Sequence, residues 1–191
     1  KETTYLHFVY KNLISVSDYD SDNNSLTSYV DLDTKKSFEL PGDRVVFRNS
    51  GNNSEGHITE NAEYPLMCCT FSYLPNQINY LYPALWELNV YQIDENMEVK
   101  LVRTYSSDDG ILYIVDDYNS GRGLYAYIDR IDTAVRNIRL VNVWNGNEKY
   151  FENVSEFSVQ DNEVWIGIYD ESGKRTAYKL STDLETMEQA E

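Results

Sequence analysis

Short apolar runs of about four to eight residues, each bounded by Asp, Asn, Gly or Ser, recur along this chain, while helical periodicity is weak throughout. That punctuation predicts strand, turn and strand, over and over. It is also repeated: VWIGIYDESGKRTAYKLSTD near the C-terminus and LISVSDYDSDNNSLTSYVDLDT near the N-terminus share one plan. An apolar-rich run leads to Tyr-Asp, a polar turn follows, and a second run carries a Tyr and ends in acidic or hydroxyl residues. Gly, Asn and Asp at these turns tolerate the positive φ that reversal needs.

Four units follow from this plan, at roughly residues 5–42, 43–104, 105–143 and 144–191, within a single domain of 1–191. In the third, a turn at Asp108, Asp109 and Gly110 launches a strand over 111–116, and a turn around Gly121 and Gly123 returns it over 124–128. The second unit is irregular in front, with a long polar loop over 49–63 and a Tyr- and Pro-rich insertion over 75–83. A three- or four-stranded meander cannot bury its own face, so neighbouring copies must stack on it, and radial stacking gives a propeller. Equivalent tyrosines at Tyr29, Tyr91, Tyr127 and Tyr178 recur at an uneven interval averaging about 50 residues, near the upper end of blade repeats. The expected class is therefore all-β: antiparallel meander units stacked as a small β-propeller of about four blades, or part of a larger one. The alternative is a β-sandwich or barrel with similar hairpins.

The hairpin LYIVDDYNSGRGLYAYID, with its preceding turn and following strand, resembles the blades of bacterial extracytoplasmic β-propellers of the TolB or YVTN general type. The resemblance implies an exported or cell-surface location and a surface that binds other molecules.

Composition narrows the partners. With 32 acidic against 16 basic residues the formal charge is −16, which repels phosphate backbones and anionic lipid surfaces. Nucleic acid is therefore not an expected partner. No run approaches the roughly 20 apolar residues of a membrane-spanning helix. The chain carries 17 Tyr, 3 Trp and 6 Phe, residues that suit half-buried pleated surfaces and binding surfaces alike. Cys68 and Cys69 are adjacent, so on a strand one faces in and one out; two unpaired thiols are expected rather than a strained vicinal disulfide.

No catalytic signature stands out. His7 and His57 are the only histidines, without a Gly-x-Ser-x-Gly elbow or a His-Glu-x-x-His pair. A glycan-cleaving hydrolase with an acidic pair on one rim is the enzymatic alternative, but the acids concentrate in turns, where Asp bonds the backbone. Asp18, Asp20 and Asp22 alternate as in a calcium loop, yet Leu26 and Tyr29 stand where further ligands belong, so the ligand set stops halfway; no cofactor is expected, with calcium on these three aspartates as the alternative. The aromatics are the better candidates. Tyr80 and Tyr82 in a Pro-flanked loop, Trp86 just after it and Trp144 beside a turn are the expected ligand-binding residues, whereas Trp165 inside VWIGIY reads as core. Trp86 and Tyr91, at odd separation on one strand, should face opposite ways. The expected function is a non-enzymatic binding or scaffolding module for protein or glycan. A structural fragment completed by another chain is the remaining alternative.

Overall fold

The computed structural model describes residues 3–19, 25–42, 44–48, 58, 63–75, 83–116, 121–129, 134–160 and 162–190. Among them the chain is all-β, with antiparallel strand pairing and a single 3-10 turn at Ser107–Asp109 as its one helical element. By contact the chain divides into two compact units, one chiefly of residues 1–71 and 89–103, the other of 72–88, 104–118 and 122–191.

In the first unit β1 (Thr3–Tyr10), β2 (Leu13–Tyr19), β3 (Ser25–Asp31) and β4 (Ser37–Glu39) form a four-stranded meander in chain order. Next come β5 (Arg44–Phe47), β6 (Leu66–Tyr73), β7 (Ala84–Ile93) and β8 (Val99–Ser106), again each paired with its successor; residues 72–73, 84–88 and 104–106 of these strands belong to the second unit. The apolar faces of the two meanders meet in one core. Val9, Leu13, Tyr29 and Phe38 pack there with Phe47, Leu66, Cys68, Ile93 and Met97. Tyr29 stacks on Phe38 with ring centroids 5.0 Å apart and meets Phe47 edge-on at 5.6 Å. Burial raises its phenol far above the ordinary tyrosine range, so it stays protonated. Within the polar stretch 49–63, Ile58 donates its backbone N–H to the Val9 carbonyl at 2.9 Å and is buried in the same core.

The second unit carries β9 (Leu112–Ile114), β10 (Leu124–Ile128), β11 (Arg136–Asn142), β12 (Glu148–Gln160), β13 (Glu163–Tyr169), β14 (Arg175–Ser181) and β15 (Met187–Gln189), with β9 also paired to the start of β7. β12 changes partner midway. Its first half, Glu148 to Val154, pairs with β11, and its second half, Val154 to Gln160, pairs with β13. Both registers slip near Val154, beside Asn153 at φ 55°, so one strand closes a meander and opens the next. The meanders β9–β12 and β12–β15 share a second core, in which Ala126, Ile138, Leu140 and Phe151 from one meet Val164, Ile166, Leu180 and Leu184 from the other. Full burial of each such side chain stabilises the fold by about 1.5–3 kcal/mol.

One turn design recurs between strands. At Asp31, Asp94, Asp170 and Asp183 a carboxylate accepts backbone N–H groups within the next four residues. Asn142 does the same with its amide oxygen. A residue of positive φ closes each of these turns: Lys35, Met97, Gly146, Gly173 and Leu184. Glycine suits that conformation, yet Met97 and Leu184 occupy it while burying their side chains in the first and second cores.

Two sequence expectations are corrected here. Cys69 does not face solvent: both cysteines are fully buried, because β6 is covered on both faces, and neither is in a disulfide. Trp144 is not on an exposed rim but is 6% exposed. Its turn folds inward, and the indole lies so close to Gly123 that a Cβ there would sit 2.4 Å from Nε1.

Candidate functional site

Strand alternation in β13 decides which side chains meet solvent. Val164, Ile166 and Ile168 pack into the second core, so Glu163, Trp165, Gly167 and Tyr169 must point the other way. Trp165 is therefore outward and 38% exposed, against the expectation that it is core. The alternation itself held this information: the β-branched residues occupy the opposite parity, and the neighbouring strands match it. Register sets Ser158 on one side of Trp165 and Lys179 on the other, with Glu188 beyond Lys179. The next row is Glu156, Gly167 and Ala177.

This arrangement gives a ring beside a low floor. Gly167 and Ala177 leave an open depression of about 350 Å³ against Trp165, walled by Glu156, Ser158 and Arg175. Arg175 pairs with Glu156 across the glycine, where a Cβ would come within 3.0 Å of Arg175 Nε. On the other side Lys179 Nζ lies 5.7 Å from the Trp165 ring centroid, within cation–π range, and 2.6 Å from Glu163 Oε1. The hydrogen bond to Glu163 holds the Lys179 ammonium above the ordinary lysine range. A second depression of about 470 Å³ lies between Asn162, Lys179, Met187 and Glu188.

Chemically this arrangement offers contacts that can hold a ligand. An exposed indole offers a π-face to C–H groups of a ring, and the flanking carboxylates, hydroxyl and cations offer hydrogen bonds. Glu156 and Glu163 flank Trp165, but each carboxylate is engaged by a cation on an open sheet face.

The other expected site residues fall elsewhere. Trp86 is exposed at 54% on β7, while Tyr91 on the same strand is buried. Tyr80 and Tyr82 lie outside the described residues, as do Asp20, Asp22 and His57; Asp18 is described in its backbone only. His7 is exposed on β1. Among the described residues no group of three or more His, Cys, Asp or Glu side chains is placed to hold a metal ion, and no helix is long and apolar enough to cross a membrane.

No family model matches the chain, and no curated protein matches it. Two solved structures align weakly. The crystal structure of a puromycin hydrolase S511A mutant complexed with PGG gives a TM-score of 0.28 at 9% identity, covering 93% of this chain and 35% of that one. TolB from Acinetobacter baumannii gives 0.23 at 11% identity, covering 100% of this chain and 55% of that one. The chain thus spans about a third of the first and just over half of the second. Its all-β meander architecture rests on its own strand pairing.

Proposed function

We propose that this chain is a non-enzymatic, exported or cell-surface binding module whose meanders act as propeller blades, and that it holds a neutral glycan on Trp165. The observation that carries the reading is the outward indole of Trp165 beside the Gly167–Ala177 floor, framed by the Arg175–Glu156 and Lys179–Glu163 pairs. A pyranose laid on the ring would meet hydroxyl, carboxylate and ammonium groups at its edge, an arrangement suited to hydrogen-bonding its hydroxyls. Trp86, more exposed still, is a second aromatic for the same class of ligand. The test is a glycan array probed with the intact protein and with Trp165→Ala, in calcium and in chelator. Specific binding that the variant loses supports the reading, and chelator sensitivity would bring the Asp18, Asp20 and Asp22 loop into it.

A second reading, a structural piece completed by another chain, draws support from β1. Leu6 and Phe8 are 64% and 59% exposed on one face, and register places Val16 and Ile14 beside them, with Val30 next to Ile14. Mass measured across a concentration series tests it: a rise with concentration supports it, and a constant monomer mass opposes it.

A further inference from the structure

The meander β9–β12 carries a second groove, of about 560 Å³, on residues the Trp165 platform does not use. Register places Tyr127, Arg139 and Tyr150 side by side across β10, β11 and β12. The Arg139 guanidinium lies 4.0 Å over the Tyr127 ring centroid. Tyr127 is itself anchored, donating its hydroxyl to the Ser106 carbonyl at 3.3 Å. Burial pushes its phenol up to about 12 despite the opposing pull of Arg139, so that donor persists at neutral pH. Tyr150 is 60% exposed and Ile111 44% exposed, and both line the groove.

Arg139 is preorganised but little used. A guanidinium has five N–H donors. Among the described residues its polar contacts are the Asp109 carbonyl at 3.5 Å and Glu148 Oε2 at 3.9 Å, both longer than the 2.7–3.2 Å of a good N–H···O bond. Its contact with the Tyr127 ring restrains the side chain, and a planar guanidinium fits a carboxylate with two parallel bonds. Asp109 and Asp129 line the same groove and offer acceptors to the hydroxyls of a sugar. The exposed Tyr150 ring supplies the apolar face on which a pyranose stacks.

The geometry points to a binding site for a carboxylate-bearing saccharide, a uronic acid residue, with its carboxylate on Arg139 and its ring on Tyr150. The site stands independently of the Trp165 reading, since either can fail without the other.

Titration of the intact protein with trigalacturonic acid and with the neutral galactose trimer, followed by isothermal calorimetry, tests it. The acidic trimer should bind in the millimolar range or tighter and the neutral trimer about tenfold or more weakly. Arg139→Gln and Arg139→Lys should each weaken the acidic trimer by about tenfold or more, since lysine lacks the planar fork. Tyr150→Ala should weaken it several-fold, with circular dichroism and thermal melting reporting that each variant is folded. Full binding of the acidic trimer by folded Arg139→Gln, or no binding of the acidic trimer at about 10 mM, would overturn the assignment.

Discussion

The side chain of Asn142 joins two meanders: its amide nitrogen donates to the Thr182 carbonyl, forty residues on, and to the Arg122 carbonyl, each at 2.9 Å. Its amide oxygen accepts the backbone N–H groups of Trp144 at 3.0 Å and Asn145 at 3.3 Å. Asn145 and Asn147 add bonds to the Asp183 carbonyl at 2.8 and 3.1 Å. The turn after β11 is thereby held to the turn after β14, on the sheet that carries Trp165. Asn142 is 3% exposed, so removing its amide strands buried groups at about 1–3 kcal/mol each. Asn142→Ala should lower stability in urea by about 3 kcal/mol, and Asn142→Asp, which presents an acceptor to two carbonyls, should do no better. A loss below about 0.5 kcal/mol would show that the joint carries little.

The buried residues at positive φ give a prediction of unusual sign. Leu184 sits at φ 61° and is 1% exposed. Leu184→Ala should cost about 2–5 kcal/mol as a core truncation. Leu184→Gly loses the same packing but recovers the roughly 1–2 kcal/mol of left-handed strain, so it should be no less stable than the alanine variant. Lys35 has the same φ and is exposed, and Lys35→Gly should be neutral or stabilise by up to about 1 kcal/mol. Chemical denaturation of the three variants reads these differences, and a glycine at 184 clearly worse than alanine contradicts them.

Stability should fall on the acid side because of the turns. Backbone hydrogen bonds led by Thr34 and Glu98 hold Asp31 and Asp94 below the ordinary carboxylate value, and side-chain bonds led by Ser172 and Ser181 do so for Asp170 and Asp183. A carboxylate with a depressed folded value contributes stability present above its unfolded value, near 3.8, and lost as pH falls through the folded one. Replacing Asp94 and Asp170 with Asn keeps an acceptor and removes the titration. Melting temperatures between about pH 5 and 2 should therefore fall less steeply in the double variant than in the parent. Parallel slopes would contradict this.

Much of the architecture was legible because strands advertise themselves. Leu66–Tyr73 and Glu163–Tyr169 stand between turn formers, and the Asp-led turns that separate strands are visible as Asp-x-Asn and Asp-x-Ser. The exposure of individual aromatics was less legible. Trp144 sits in a turn, the usual setting of an exposed side chain, yet its indole packs against Gly123 and is buried. Trp165 sits in an apolar run, and its exposure follows from parity rather than from hydropathy. Glu148–Gln160 has no glycine or proline to mark where the strand changes partner; Asn153, a residue type that tolerates its φ of 55°, is the one mark in the sequence.

The thiols offer a direct check of β6. Burial raises the Cys68 thiol well above its ordinary value, with Cys69 adding to the shift. Since the thiolate is the reactive form, the native protein should resist a disulfide reagent at neutral pH and release two thiols once unfolded. Rapid labelling of the native state would contradict the burial of this strand.

The most direct test of the central claim is to compare the intact protein with folded Trp165→Ala on one glycan array. The account predicts specific binding of neutral glycans by the parent and its loss in the variant. Unchanged binding by Trp165→Ala, or a blank array with the parent, would contradict it.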